Sequence, residues 1–411
     1  MNYRISHPTK KVRGDIQLPA SKSISNRALI IQALCSEPFE IHNLSEAKDT
    51  QVLQQILNDS SKEINVGDAG TTMRFLTGFL ALQKGEHILT GSRRMRERPI
   101  RILVETLKTL GANISYLQKE GFPPLQIKGH KLLGGTLEVN SSISSQYIST
   151  LLLIAPTLEK GLTIHLKRTL VSKPYIEMTL SIMAYFGVES EWKGNCITIK
   201  QQVYQAKNIT IESDWSAAAF WLEIVSLSRE SNITLKGLHK NSWQGDQKVL
   251  SLFEGLGVKG NLTDNGLSIR KSGVINVLRQ YNLLDTPDLA QPLISALAGT
   301  EKETLITGLQ TLQIKETDRL KALKKELKKL GVKATINKQA LKLRSINLQT
   351  PKEILATYND HRMAMCLAPL ALQTEGIIIQ DIDVVEKSYP TFWEDLKKVG
   401  FKITSVTGSS R

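Results

Sequence analysis

The sequence predicts a mixed α/β protein built from about six copies of one unit, and three observations predict it. First, one phrase recurs: an amphipathic helix, a glycine with an apolar or small residue, then a short alternating strand. It reads "LKTLGANISY" at Gly111, "MAYFGVESEW" at Gly187, "LFEGLGVKGN" at Gly257, "LKKLGVKATI" at Gly331 and "LKKVGFKITS" at Gly400. Second, these glycines are 76, 70, 74 and 69 residues apart. Third, short apolar-alternating stretches such as "GTLEVN" (135–140), "GLTIHL" (161–166) and "NITIES" (208–213) lie between the helices, which rules out an all-α reading. Glycine just past a helix is the usual residue at that position because it enters the left-handed region freely. A weaker first copy, "VLQQILNDSSKEINV" (52–66), lacks the glycine. Such units either stack as a solenoid or pack three by three. With 411 residues, the chain is expected to form two domains.

Composition narrows the class. A hydrophobic share of 41% and a charged share of 22% are those of a soluble globular protein. Cys35, Cys196 and Cys366 are far apart and share no metal-ligand spacing, which points to a reducing compartment and away from structural zinc. The N-terminal "MNYRISHPTKKVRGD" has no apolar signal core, and no run approaches membrane-spanning length, so a cytoplasmic protein is expected. The net charge of +14 fits nucleic acid, an acidic membrane surface or small anions equally well. Part of it is the solvated face of "KALKKELKKL" (321–330).

The placement of the cations is more telling than their number. "LPASKSISNRALI" (18–30) opens an apolar helix with Lys22 and Arg27, although the helix dipole is positive at that end. The pattern repeats. Arg74 follows a Thr71 or Thr72 cap; Arg98 precedes Pro99, read as the first helical residue; Ser172 caps a helix that starts with Lys173 and Pro174. Lys315 precedes a first turn capped near Glu316 or Thr317 that contains Arg319. Arg362 follows an Asn359 or Asp360 cap, and Lys387 precedes another helix start. Each exposed cation so placed costs about 0.3–1 kcal/mol. The set therefore calls for an offsetting anion, and helix starts with free N–H groups and arginines recognise phosphate and carboxylate well.

No nucleotide P-loop motif is present, and aromatic residues make up only 6%, so neither a nucleotide nor stacked bases are implied. "DIDVVE" (381–386) reads as a strand with alternating faces, not a metal cluster. The motifs "LPASKSISNRALI", "DAGTTMR", "RMRERPI", "SSQY", "SKPYI", "IKETDRL" and "YNDHRMAMC", in this order from about residue 11 to residue 400, resemble those of the 5-enolpyruvylshikimate-3-phosphate synthase family. The resemblance implies a two-domain enolpyruvyl-transferase fold of six βαβαββ-like repeats, three per domain around pseudo-threefold axes. Residues 20–213 would form an inserted domain and residues 1–19 plus 214–411 the other, with hinge crossings near 19–20 and 213–215.

The implied reaction moves the enolpyruvyl group of phosphoenolpyruvate to the 5-hydroxyl of shikimate 3-phosphate, by addition and then elimination of phosphate. It belongs to the shikimate pathway and is the target of glyphosate. No metal or organic cofactor is implied; the cations themselves stabilise charge. The resemblance implies a monomer that binds small anions and neither nucleic acid nor membrane. Substrate-driven closure of the two domains is also expected.

Carried over by motif, Lys22 resembles the lysine that contacts both substrates and donates a proton. Asp288 in "TPDLAQPL" aligns with the base near the 5-hydroxyl, and Glu316 with the acid/base near the methylene carbon. Ser23, Arg27, Ser144, Ser145, Gln146, Ser172, Tyr175, Thr311 and Lys315, with Lys22 and Asp288, correspond to shikimate 3-phosphate contacts. Lys22, Gly70, Arg98, Gln146, Arg319, Arg362 and Lys387 correspond to the phosphoenolpyruvate set. Gly70 is expected to let the ligand approach the backbone.

Three positions depart from the family pattern: Asp68 where Asn is common, Phe75 where Pro is frequent, and Thr311 where Asn is frequent. Asp68 is expected to point away or be paired. Asp49 and Asp214 read as helix caps, His361 as a residue steering Arg362, and Met363 and Met365 as core. Two alternatives are weaker. The sister enzyme acting on UDP-N-acetylglucosamine usually has a loop cysteine and an Asn after the leading Lys; here Ser23 follows Lys22 and no Cys lies between residues 36 and 195. A basic protein of related repeat architecture that binds RNA ends predicts a broad basic groove, not cations confined to helix starts.

Overall fold

The five glycines that punctuate the sequence all leave their helices with positive φ: 97° at Gly111, 81° at Gly187, 75° at Gly257, 84° at Gly331 and 100° at Gly400. In each case a helix precedes and a strand follows, as with Arg101–Thr109 and Asn113–Tyr116, or Arg319–Lys329 and Lys333–Ile336. A computed structural model describes residues 1–59, 61–142, 144–344 and 347–406. In the weaker copy the helix Lys48–Leu57 and the strand Glu63–Asn65 are present; Ser60 lies outside the described residues.

The chain divides into two units, one of Met1–Ala20 with Glu212–Arg411, the other of Ser21–Ile211. Within Ser21–Ile211, one sheet runs Glu63–Asn65, Gly85–Thr90, Leu125–Gly129, Asn113–Tyr116; its first pair is parallel and the next two are antiparallel. A second sheet, Gly135–Asn140, Leu162–Lys167, Cys196–Ile199, Glu191–Lys193, repeats that topology. A third is reduced to the parallel pair Ile41–His42 and Ile209–Thr210, so "NITIES" supplies only two strand residues.

The other unit repeats the same plan. Gln280–Asn282, Glu303–Thr307, Leu341–Arg344, Lys333–Ile336 form one such sheet. Lys11–Gln17, Glu230–Lys236, Gly266–Lys271, Val258–Thr263 form another, and the residues 21–211 are inserted in its parallel crossover. In the third, Leu355 bridges parallel to Ile377–Gln380, and the antiparallel strands are the two ends of the chain, Asn2–Ser6 and Lys402–Val406.

A parallel pair needs a crossover, and in the larger unit each crossover contains a helix. In the larger unit these helices are Trp215–Leu227, Ala290–Ala298 and His361–Leu367. They are apolar nearly all round, so they can only be core helices, and they pack against one another. Their buried leucines, such as Leu222, Leu293 and Leu367, each stabilise by roughly 1.5–3 kcal/mol relative to exposure. Met363 and Met365 belong to this core. Lys22–Leu34, Gly70–Leu82 and Ser145–Ile154 form the corresponding cluster in the other unit. "DIDVVE" is not a strand: Ile377–Gln380 ends before it, Asp381 has φ 50°, and Ile382–Lys387 is a 3₁₀ turn. All three cysteines are free thiols. Among the described residues no helix is long and apolar enough to cross a membrane.

Candidate active site

In Ser21–Ile211 the starts of the three central helices are tied together. Lys22 is the first residue of its helix, and its ammonium lies 3.1 Å from Asp49 Oδ2. The Asp49 carbonyl accepts from Thr72 Oγ1 at 3.1 Å, which links this pair to the start of Gly70–Leu82. Gln146 Nε2 donates to Thr71 Oγ1 at 3.1 Å, which links in the start of Ser145–Ile154. Ser144 caps that helix by accepting from Gln146 N, and Ser145 is its first residue. The Arg98 guanidinium lies against Gly70: a Cβ there would sit 2.5 Å from Arg98 Nη1, which would have to shift.

Arg27, one turn in from Ser23, is 3% exposed, and burial lowers its pKa to about 10. Its guanidinium donates to Thr179 Oγ1 (2.8 Å), Ser149 Oγ (3.1 Å) and the carbonyls of Ser23 (2.8 Å) and Tyr175 (3.3 Å). It also lies over the Phe75 ring, 5.4 Å from the centroid, so the departure at Phe75 supplies a cation–π surface without disturbing the helix start. Ser172 precedes its helix with φ 57° and makes no side-chain cap bond, contrary to the expected cap. Asp68 accepts from Ser92 Oγ.

The second cluster lies in the other unit, around Asp288, two residues before Ala290–Ala298. Its carboxylate is 3.2 Å from Arg362 Nη2, 3.5 Å from Arg319 Nη1 and 3.6 Å from Lys315 Nζ. Burial alone would raise this carboxyl; Arg362, Lys315 and Arg319 outweigh it and hold it well below the usual carboxylate range. Arg319 also donates to Asp360 (2.7 and 3.2 Å) and to Glu316 Oε2 (2.9 Å). Burial opposes its charge, but Asp360, Glu316 and Asp288 together hold it protonated. Glu316 Oε1 is 3.6 Å from Lys387 Nζ. Asp360 caps His361–Leu367, accepting from Arg362 N at 2.9 Å, so Asp360 orients Arg362; His361 Nδ1 lies 3.8 Å from Asp360 Oδ1. Thr311 is buried, and its hydroxyl has no hydrogen-bond partner among the described residues. Asp214 caps Trp215–Leu227, and Ser216 donates to Asp246. Burial, then Asp288, pushes Asp246 up to about 6, although Ser216 and Arg362 pull the other way.

Several expected helix starts move. Gly70–Leu82 begins at Gly70 after Ala69, not at a Thr71 or Thr72 cap, because Thr72 bonds across to Asp49. Arg101–Thr109 begins after Ile100, which leaves Pro99 outside the helix. Asp318, not Glu316 or Thr317, caps Arg319–Lys329 through Lys321 N, and Glu316 pairs with Arg319. Lys387 ends a 3₁₀ turn instead of preceding the next helix directly. Asp49 is the second residue of Lys48–Leu57 and makes no cap bond, its carboxylate being engaged by Lys22. Arg74 donates to the carbonyls of Gly70 and Pro99, which tie it to the start of its own helix and to the segment before Arg101–Thr109. Sequence reasoning missed Asp246, Ser149 and Thr179; an aspartate in "QGDQK" and hydroxyls on apolar helices carry no local mark of a site.

The two clusters define a class: an α/β protein of repeated units whose helix starts gather cations, and a few carboxylates, for a small polyanion. The model of the EPSP synthase (3-phosphoshikimate 1-carboxyvinyltransferase) family matches residues 6–59 and 52–396, and the chain belongs to that family. A "3-phosphoshikimate 1-carboxyvinyltransferase" of Bacteroides fragilis is 44% identical over 406 residues, covering 98% of this chain and 99% of the relative. One from Shewanella baltica is 36% identical over 416 residues, covering 94% and 97%. The fold is that of the solved EPSP synthase from Acinetobacter baumannii (TM-score 0.78, 21% identity, 98% and 100% covered). The enolpyruvyl transferase NikO from Streptomyces tendae shares it (TM-score 0.74, 15% identity, 98% of each chain).

Proposed function

We infer that this chain transfers the enolpyruvyl group of phosphoenolpyruvate to the 5-hydroxyl of shikimate 3-phosphate, giving 5-enolpyruvylshikimate 3-phosphate and phosphate. The observation that carries the reading is the Asp288–Glu316 pair set among Lys315, Arg319, Arg362 and Lys387. Two carboxylates supply proton transfer while the cations absorb the charge of two phosphates and two carboxylates.

Arg98, Arg319, Arg362, Lys387, Gly70 and Gln146 hold phosphoenolpyruvate. Ser23, Arg27, Ser144, Ser145, Ser172, Tyr175, Thr311 and Lys315 hold shikimate 3-phosphate, and Lys22 serves both. The Arg27 donors already used by Thr179 and Ser149 support a preset orientation of that guanidinium. In the addition step the 5-hydroxyl oxygen bonds to C2 of phosphoenolpyruvate. Its proton passes to Asp288, and Lys22 or Glu316 protonates C3. In the elimination step C3 loses a proton, the C2–O bond to phosphate breaks, and the enol ether forms. Asp288 is a weak base while three cations face it. Anionic substrates that draw Arg362 and Lys315 to themselves raise its basicity at the moment it is needed. The chain acts as a monomer in the cytoplasm, a reading that its three free thiols support for the compartment; light scattering checks the monomer.

The test is phosphate release from phosphoenolpyruvate by purified protein. Release that requires shikimate 3-phosphate is expected. Release with UDP-N-acetylglucosamine in its place, or with neither acceptor, would contradict the reading.

A further inference from the structure

Helix Arg319–Lys329 grips the segment 354–360 at two points. Its first residue, Arg319, pairs with Asp360. Seven residues on, and so on the same helix face, Glu326 is fully buried and accepts from Lys329 Nζ at 2.7 Å, Ala356 N at 2.9 Å and the Tyr358 hydroxyl. Burial and Glu326 both raise the Tyr358 pKa, which keeps that hydroxyl a donor. Lys329 also donates to the Ile354 carbonyl at 2.8 Å. A buried carboxylate is tolerable only when donors surround it, and here an ammonium, an amide and a phenol do so.

Between the two grips lie Tyr358 and Asn359, with φ 57° and 55°. Asn visits the left-handed region readily, but an aromatic residue does so rarely, and two in succession persist only where the surroundings fix them. On the entry side, Leu355 is locked to the strand Ile377–Gln380 through Ile378 O (2.8 Å) and Gln380 N (3.1 Å). On the exit side, Asp360 returns to extended geometry (φ −116°, ψ 115°) and caps the helix through Arg362 N. The left-handed pair therefore sets the direction in which Arg362 leaves the turn.

We propose that Glu326 is a positioning residue for Arg362: by holding Ala356 and Tyr358 it maintains the left-handed pair and aims the Arg362 guanidinium. This rests on the reading of Arg362 as a phosphoenolpyruvate ligand. In wild-type protein that turns over both substrates, E326Q keeps the side-chain volume but removes one acceptor. It raises KM for phosphoenolpyruvate about tenfold, as a small misaim of a binding group does. KM for shikimate 3-phosphate and kcat change by less than about threefold. Adding N359G recovers a large part of that loss, because glycine takes positive φ without strain. Y358F shifts the same constant in the same direction by less. An unchanged KM for phosphoenolpyruvate in E326Q overturns the proposal. So does an equal rise in KM for both substrates that N359G leaves uncorrected, which is what a general loosening of the site gives. If E326Q does not fold, Y358F decides: an unchanged KM for phosphoenolpyruvate overturns the proposal. Silence of the wild type would instead overturn the functional reading, and this inference with it.

Discussion

The two cationic clusters are built on the same repeated scaffold but hold their charge differently. In Ser21–Ile211, Arg27 is satisfied by two hydroxyls and two carbonyls, while Lys22 pairs with Asp49. In the other unit Arg319 alone faces Asp288, Glu316 and Asp360, and Arg362, Lys315 and Lys387 face two of the same acids. Neutral partners preset a cation without consuming its charge, which suits anchoring an anion. Acid partners couple every cation to a titrating group, which suits proton transfer. Repeated architecture fixes where helix starts meet; the residues at those starts decide whether the place anchors or reacts.

The sharpest way to break this comparison is at Asp288. Asp288→Asn should lower turnover by about 10³-fold or more, within the range for a lost general base, while thermal melts show an intact fold. Near-normal phosphate release would remove Asp288 as base and make the second cluster a mere anchor. Arg27→Ala tests the other side. It leaves Thr179 and Ser149 with lost partners in a buried place and should cost roughly 2–4 kcal/mol in denaturant melts. A cost near zero would mean that the neutral partners do not preset Arg27.

The comparison also predicts a pH signature in the acid-rich cluster. Asp246 ionises in the folded state only near pH 6, against 3.8 as its ordinary value. The folded protein therefore holds this proton more tightly than the unfolded chain, and the group lowers stability as pH rises through that window. Asp246→Asn should stabilise above pH 6 by at most about 3 kcal/mol, with the gain fading between pH 6 and 4. A gain independent of pH would contradict this.

How much of this was legible in the sequence follows from what each feature depends on. The repeat was legible because a helix end that turns back into a strand needs positive φ, and Gly111, Gly187, Gly257, Gly331 and Gly400 announce it locally. The helix starts were legible only to within one to three residues. Thr72 and Glu316 look like caps, yet each is claimed by a partner elsewhere, Asp49 in one case and Arg319 in the other. The motifs brought Lys22, Asp288, Glu316 and Arg362 into view, but not how they are held. Arg27 depends on Ser149 and Thr179, 122 and 152 residues away, and no spacing rule reaches that far. Arg74 was legible as a cation at a helix start, but its bonds to the Gly70 and Pro99 carbonyls were not, because Pro99 is 25 residues away.

The smallest expected effect sharpens what the two units share. Gly111→Ala and Gly331→Ala, one in each unit, put a side chain at φ 97° and 84°. Each should cost about 1–2 kcal/mol, read in urea melts. A large inequality would mean that the turn is not an equivalent part in both units.

The proposed reaction assigns Arg98 and Arg362 to phosphoenolpyruvate, and matched arginine substitutions test that assignment most directly. Arg98→Lys in one unit and Arg362→Lys in the other each keep the charge but lose the bidentate fork. The account predicts that each raises KM for phosphoenolpyruvate at least about tenfold in shikimate 3-phosphate-dependent phosphate release. A rise in one variant with an unchanged constant in the other would contradict it, because the unaffected arginine would then not be a phosphoenolpyruvate ligand.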